Sequence, residues 1–570
     1  MDTRDGALEG DPLEECPVSA QESSILKSTT VMTMATLLSR ASGLLRTWAM
    51  AFALGNTFLT SAYQVANNMP NVIYDLVAGG ILGTAFLPVY LLQKERLGRF
   101  GSDRFASNIL NISLVVLGLL AVVATVFAPA VIATQTFTLE GEALVSLVAV
   151  DFFRIFAIQL VFYGLGGVIT GVLNANRVYG LPALAPAINN IVVVISMFSY
   201  VPLAGIDPSL AITVLGIGTS LGVVAQFAIQ IPALVKSGFI YVPRINLRDP
   251  ALKEALRIAA PTLIYIVGTL VSFSCRNAFS LETGEDGPST LLFAWTWYQL
   301  PYGVVAVSLS TAFLTEMSDC VARKDLDGLR VHIKQGLSTT LFLIIPLAAI
   351  MIALAAPIIQ IFRAGEFTQD DVGYVSLVLA AWLTSLPFYA GQMFLYRVFA
   401  ALRQFMAFAL VSCGLCIIQV GLYALLCSNG AFGLGLLGVP VADFVYYALQ
   451  FVVMAFILKR RVGHFGMPEV VRTGLKMLGA SAVAVAAVMG LLLLFPLQQS
   501  IVASLGGLVL LGSVGLLLAF LVGRLLRVPE MDSAFALLRK LADRLPALER
   551  LMSLLPWRRQ AKEGHAGSKA

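Results

Sequence analysis

Residues 25–54 read ILKSTTVMTMATLLSRASGLLRTWAMAFAL, an apolar stretch long enough to cross a bilayer with two arginines, Arg40 and Arg46, inside it. A spanning helix needs about 20 predominantly apolar residues. A guanidinium at the bilayer centre costs roughly 2.5–3.5 kcal/mol on insertion scales, so two in one span require a compensating environment. Their spacing turns the second side chain about 120° from the first and carries it roughly 9 Å along the helix axis. Two planar guanidiniums so placed can flank an elongated anion such as a diphosphate in a water-filled cavity. The competing reading is snorkelling to the interface or a buried ion pair. Both arginines lie nearer the middle of the stretch than its ends, which favours the cavity.

The rest of the chain repeats the apolar theme. Its 570 residues are 58% hydrophobic and 12% charged, with a net charge of +5 and a mean hydropathy of +0.84. A soluble domain carries about 25% charged residues. The apolar runs have helix length and show no ten-residue alternation, so the fold class is an all-α polytopic membrane protein rather than a β-barrel. Fourteen transmembrane helices are expected, near 28–55, 62–92, 107–134, 144–173, 181–203, 209–234, 254–280, 289–315, 336–362, 372–400, 405–427, 432–458, 473–496 and 501–526. The loops after even-numbered spans carry the cations, among them Lys94, Arg96, Arg99, Arg177, Lys236, Arg244, Arg323, Lys324, Arg403, Lys459, Arg460 and Arg461. The opposite loops carry acids, among them Glu140, Asp207, Glu282, Asp286, Glu366 and Asp371. The positive-inside rule then puts both termini in the cytoplasm.

The ends differ from the middle. Residues 1–24 hold seven acids and one arginine, which reads as a disordered cytoplasmic tail with no cleavable signal peptide. From Met531 to Trp557 apolar residues recur at helical spacing at 535, 538, 541, 545, 548, 552 and 555. That segment is expected as an amphipathic helix, either on the cytoplasmic membrane surface beside anionic phospholipid or packed on a loop.

Enzymatic signatures are missing. No P-loop and no His-Glu-x-x-His occurs, and the three histidines (332, 464, 565) lie apart in polar segments, so neither a metal site nor a cofactor is expected. Cys413 and Cys416 have redox-like spacing inside an apolar span and read as packed small residues. Nothing points to nucleic acid. Many spans, intramembrane polar groups and no catalytic constellation indicate transport. The second span holds Asn67, Asn68 and Asp75 among Pro70, Gly79, Gly80, Gly83 and Pro88. These polar groups face a cavity or join helices to each other. The eighth span bends at Pro301 within an aromatic run, Trp295 to Tyr302. Arg276, near the outer end of the seventh, either joins the cavity or faces Glu282 and the headgroups.

Several motifs in fixed order resemble the MurJ/MviN family. They are Ser39-Arg40-x-x-Gly43-x-x-Arg46, Ala62-Tyr63, Pro70-Asn71, Gly79-Gly80, Ala85-Phe86-Leu87-Pro88-Val89 and Pro182-Ala183-Leu184-Ala185-Pro186. They continue through Val242-Pro243-Arg244-Ile245-Asn246, Leu300-Pro301-Tyr302-Gly303, Phe362-Arg363-x-Gly365-x-Phe367 and Leu386-Pro387-Phe388-Tyr389. The resemblance covers about residues 25–460. It implies a lipid II flippase of peptidoglycan synthesis in the bacterial cytoplasmic membrane, within the multidrug/oligosaccharidyl-lipid/polysaccharide exporter superfamily. It implies an N-lobe over 25–235, a C-lobe over 236–460, two further helices over 461–527 forming a groove for the lipid tail, and a cytoplasmic tail over 528–570. Alternating access would carry the undecaprenyl-diphosphate headgroup outward. Arg40, Arg46 and Arg276, with Asn67, Asn68 and Asp75, are the expected substrate contacts. Gly43, Gly79, Gly80, Gly83, Arg363 and Glu366 are the expected hinge or gate residues. A coupling ion or the membrane potential resets the cycle.

The chain also departs from the family pattern. Ser61 stands where many members carry an acid, Tyr74-Asp75 where they carry two arginines, and Thr296 where they carry the arginine of the eighth span. Arg276 is the expected replacement for that last cation, and the Tyr-Asp-Leu variant looks closer to actinobacterial members. Two alternatives stay open: an exporter of another polyprenyl-diphosphate glycan, and a transport-inactive scaffold for cell-wall proteins.

Overall fold

The computed structural model describes residues 18–80, 82, 85–139, 143–428, 432–494 and 500–531, and every regular element among them is helical. Gly83, most of the expected N-terminal tail and the expected C-terminal amphipathic helix beyond Met531 lie outside the described residues. The first helix begins at Val18, so the last seven residues of the expected tail are helical instead.

The helices run α1 (Val18–Leu54), α2 (Phe58–Tyr74), α3 (Phe86–Val126), α4 (Ala128–Thr136), α5 (Leu144–Phe156), α6 (Gln159–Ala175) and α7 (Gly180–Ala204). Then come α8 (Pro208–Ala228), α9 (Ile231–Lys236), α10 (Pro250–Thr283), α11 (Gly287–Pro301), α12 (Val307–Ala322), α13 (Leu326–Ala353) and α14 (Ala355–Ile359). The last six are α15 (Gln369–Leu383), α16 (Leu386–Ala401), α17 (Phe405–Cys427), α18 (Gly438–Val462), α19 (Met467–Leu494) and α20 (Ile501–Leu525).

Among the described residues ten helices are long and apolar enough to cross a membrane, or up to twelve when the pairs α5–α6 and α15–α16, bent by 47° and 48°, each count as one span. Those twelve coincide with the third to fourteenth spans expected from sequence. The first two expected spans fall on α1 and on α2 with its C-terminal continuation. The outer surface suits lipid: Leu493, Val502 and Val509 are 82%, 80% and 72% exposed, which an aqueous surface would not tolerate in series.

Helix endings follow the charge pattern. Left-handed residues close or break the chain at Gly98, Arg177, Gly238, Lys324, Arg403, Gly463 and Arg527, each at the end of an even-numbered expected span. At the four cationic positions the next amide reaches back to close a Schellman cap, as in Val178 N–H to Leu173 O at 2.9 Å and Gln404 N–H to Phe399 O at 2.9 Å. Glycine is the usual occupant of that site, since it has no Cβ to clash. A cation there sits instead at the negative end of the helix dipole, which offsets part of the strain.

Glycine and proline in the second and eighth expected spans do produce irregular helix. A π-helical turn runs from Asp75 to Gly79, and another from Tyr302 to Ala306 directly after Pro301. Proline has no N–H to give, so the bonding register loosens where it sits.

Two compact units emerge. One takes residues 67–128 and 151–259 together with α1 up to Met50. In it α7 and α8 pair along their length and α3 packs on α6. Phe86 stacks on Tyr90 and Phe105, with centroids 5.8 and 5.6 Å away. One face of α3 also binds an extended segment that comes after α9. Asp103 accepts from Ile240 N–H at 3.1 Å and Ser107 accepts from Val242 N–H at 3.0 Å. Asn108 pairs with both backbone groups of Asn246, and Asn111 donates to the Arg244 carbonyl at 3.0 Å.

The other unit takes the described residues of 51–66, of 129–150 and from Ala260 to Met531. Its core joins α12, α13, α16, α17 and α18 around Phe394, Phe399, Phe408, Met454 and Leu458, all buried. On α10 the backbone carbonyls of Ile264 and Gly268 accept from Cys413 and Cys416, which are free thiols facing the same neighbour.

Candidate functional site

In the first unit α1 presents Ser39, Ser42, Gly43 and Arg46 along one stripe, at the three- and four-residue spacing of a helix face. Ser42 fixes that stripe: its hydroxyl donates to Ser39 O at 2.8 Å and accepts from Asn190 Nδ2 on α7 at 3.0 Å. A Cβ on Gly43 would lie 3.7 Å from the same amide, so Gly43 admits α7 closely without being strictly required. Further along, Trp48 tilts against Phe198 of α7 at 6.4 Å. Arg46 is half-buried on this stripe, whereas Arg40 is exposed. The two arginines therefore leave the helix in different directions, as their spacing requires.

Asn67 is buried at 9% exposure and Asn68 half-buried, both on α2. Asp75 is exposed and opens the π-helical turn. A Cβ on Gly79 would meet its Oδ1 at 2.9 Å, so the glycine lets the carboxylate fold back over the turn. Among the described residues Asp75 and Arg40 form no salt bridge. Gly80 is buried.

The second unit holds Arg276, half-buried on α10. Its guanidinium carbon lies 5.0, 5.3 and 5.5 Å from the ring centres of Phe273, Trp295 and Trp382. Such contacts are worth about 2 kcal/mol when desolvated. Next to this cage sits a carboxylate that the sequence reading passed over. Asp443 on α18 is fully buried. Trp382 Nε1 donates to it at 2.8 Å, Gln419 Nε2 at 2.7 Å, and the Tyr423 hydroxyl closes the set. Ser272 orients Gln419 by donating to its carbonyl at 2.7 Å. The positive charge of Arg276 acts on the same carboxylate. An acid in the middle of an apolar span was itself the signal that could have found Asp443.

Thr296, in place of a cation on α11, turns its hydroxyl back to Leu292 O at 2.9 Å and brings no charge. The expected gate residues Arg363 and Glu366 stand on a loop that meets the end of α1 within this second unit. Glu366 N–H donates to Phe52 O at 3.1 Å. Gly365 (φ 60°) and Gly55 (φ 67°) both adopt the left-handed conformation there, and a Cβ on either would run into the backbone of the other segment. Beside them Asn56 accepts from Ser289 at 2.6 Å and donates to Thr290 at 2.9 Å, with Asp286 at 3.4 Å. Burial pushes the Asp286 carboxyl above its ordinary range. Partners 230 or more residues apart gave no sequence signal.

Known proteins resemble this chain along most of its length. A family model described as "Lipid II flippase MurJ" matches residues 50–510. A lipid II flippase MurJ of Thermosipho africanus is 28% identical over 458 residues, covering 76% of this chain and 90% of that protein. A probable lipid II flippase MurJ of Rhizobium meliloti is 29% identical over 377 residues, 64% of this chain and 68% of that one. Among solved structures, a lipid II flippase MurJ in an inward closed conformation superposes with a TM-score of 0.70 at 22% identity, covering 87% of this chain and 98% of that one. A multidrug resistance transporter of the MATE family, of the MOP superfamily, reaches 0.55 at 16% identity, covering 76% and 95%.

Proposed function

The chain belongs to the MurJ family, and from that membership we propose that it is a lipid II flippase of the bacterial cytoplasmic membrane, moving the lipid-linked peptidoglycan precursor from the inner to the outer leaflet. The family match over residues 50–510 is the observation that carries this reading.

Arg40 and Arg46 engage the diphosphate of the substrate. Charge-assisted bonds from guanidinium to phosphate are about twice as strong as neutral ones, and the planar fork matches two oxygens at once. Arg46, anchored on the stripe that Ser42 and Asn190 hold, is the pre-organised member of the pair. Arg40 is exposed and free to follow a moving headgroup. Asn67, Asn68 and Asp75 supply polar contacts nearby in sequence. The π-helical turns at Asp75–Gly79 and Tyr302–Ala306 give two helices a place to change register during alternating access.

No bond of the substrate is made or broken, so the residues act by binding and release alone. The return step draws on the membrane potential or an ion. One charge across 100 mV is worth about 2.3 kcal/mol, which is of sufficient size.

The test is complementation of a bacterium depleted of its own lipid II flippase, with membrane abundance checked by blot. Rescue by the wild type, and loss of rescue in Arg40→Ala and Arg46→Ala at normal abundance, is expected. Rescue by both variants would remove the diphosphate clamp. Failure of the wild type would turn the reading to another lipid-linked glycan or to a scaffold.

A further inference from the structure

The second unit contains a cavity of about 280 Å³ whose wall includes Tyr265 and Arg276 of α10, Trp295 of α11, Tyr389 and Gln392 of α16, and Gln450 of α18. Two of its acceptors have nothing to accept. Gln392 and Gln450 are 3% and 1% exposed, and the side-chain carbonyl oxygen of each is buried with no donor among the described residues. The orientation of Gln450 is fixed by its neighbour. Ser412 commits its hydroxyl hydrogen to Phe408 O at 2.8 Å, so its oxygen can only accept, and it accepts from Gln450 Nε2 at 2.5 Å. The amide nitrogen therefore lies on the Ser412 side, and the carbonyl is left over.

An unsatisfied buried acceptor costs about 1–3 kcal/mol, and native proteins rarely keep two in one place without a partner. Water is the simplest donor, but liquid water occupies about 30 Å³ per molecule, so this space exceeds what two carbonyls need. Its walls also suit something else. Tyr265, Trp295, Tyr389 and Tyr447 line it as an aromatic wall, in which Tyr389 and Tyr447 pack 4.8 Å apart between centroids. Arg276 lines the same space and disfavours a cationic occupant. Two carbonyl oxygens disfavour an anion. What remains is a neutral group with an apolar face and hydroxyl or amide donors on its rim, which describes a sugar ring. The volume falls just below the roughly 300–1,000 Å³ of pockets for drug-sized ligands, so it takes one ring rather than a disaccharide or a peptide.

We propose that this cavity binds one sugar ring of the lipid-linked headgroup, with Gln392 and Gln450 accepting from its hydroxyl or acetamido groups and the tyrosines stacking on its face. The assignment rests on the flippase reading and names the part of the substrate that this unit recognises.

The test uses the full-length protein in lipid nanodiscs, with binding read by native mass spectrometry. Three probes are compared: lipid II, the same lipid-linked disaccharide without its peptide, and undecaprenyl diphosphate without sugar. Gln392→Leu and Gln450→Leu remove the orphaned acceptors at similar volume; thermal stability should hold or rise in Gln392→Leu, while Gln450→Leu also gives up its bond to Ser412 and should change little. Each is expected to weaken lipid II and the peptide-free disaccharide about tenfold while leaving undecaprenyl diphosphate unchanged. Unchanged affinity for the disaccharide, as a water-filled cavity would give, overturns the proposal. So does an equal loss for all three probes, or a loss confined to the peptide-bearing probe. If the wild type binds none of the three, the flippase reading fails and takes the sugar site with it. If it binds all three equally and the variants change nothing, only the sugar site fails.

Discussion

Arg46 and Arg276 are both half-buried guanidiniums on long apolar helices, and their surroundings differ. Around Arg276 three aromatic rings and the buried carboxylate of Asp443 answer the charge from within one unit. Around Arg46 the neighbours on its stripe are serine and glycine, and the other arginine of the same helix is exposed. A cation set among ring faces and near a buried carboxylate has part of its charge offset within its own unit. Arg46 sits instead on a stripe of small residues, beside the bond that joins Ser42 to Asn190. Arg276 therefore differs from Arg46 in its surroundings, although sequence alone grouped both with Arg40 as substrate contacts.

Charge reversal separates the two roles most sharply. Arg46→Glu should reduce flipping at least about 100-fold, since it deletes a charged hydrogen bond worth roughly 1.5–3 kcal/mol and adds repulsion. Membrane abundance should hold, and Arg46→Lys should recover part of the activity, because a point charge replaces a fork. Complementation and a lipid II accessibility assay read both. Equal loss of abundance and activity would make Arg46 structural.

The converse holds in the second unit. Asp443→Leu should destabilise the purified protein by about 3–5 kcal/mol, because Arg276 and the Trp382, Gln419 and Tyr423 donors lose their common partner. Thermal unfolding in detergent would show it, and Arg276→Leu in the same background should restore much of the loss. If the double variant is no better than the single, the two groups are not a pair.

Gly365→Ala should cost about 1–3 kcal/mol by the same measurement, because its left-handed backbone and the Phe52 carbonyl leave no place for a Cβ. The smallest effect concerns Asp286. Burial raises its pKa in the folded protein, so folding favours its protonated form. That contribution is fully present below the ordinary carboxylate value of 3.8 and fades as pH rises through the raised one. Asp286→Asn should thus gain on the wild type, by less than about 1 kcal/mol, as pH is raised from that range toward neutrality. A difference that does not vary with pH would assign Asp286 to hydrogen bonding alone.

Much of the fold was legible because the membrane constrains it. Length and hydropathy located twelve of the expected spans, and the bend expected at Pro301 falls where the chain forms a π-helical turn. The candidate site was legible only where a charge broke an apolar run, as at Arg40, Arg46 and Asp75. Asp443 breaks a run equally, yet its partners Trp382 and Gln419 lie on other helices, so its role became visible only in the folded chain. The Asn56 cluster was out of reach: its partners Ser289 and Thr290 are ordinary polar residues, and only tertiary folding brings them to it.

The extended segment beside α3 has a consequence for which sequences can replace it. Asp103, Ser107, Asn108 and Asn111 read chiefly its backbone, taking the amides of Ile240, Val242 and Asn246, while Asn111 also accepts from the Tyr241 hydroxyl at 2.7 Å. A helix face is here standing in for the neighbouring strand of a sheet. Apart from Tyr241, whose hydroxyl joins the pairing, tolerance in the segment should follow which amides are used. Proline at 240, 242 or 246 removes a used amide, whereas position 243, whose amide the helix does not use, already carries one.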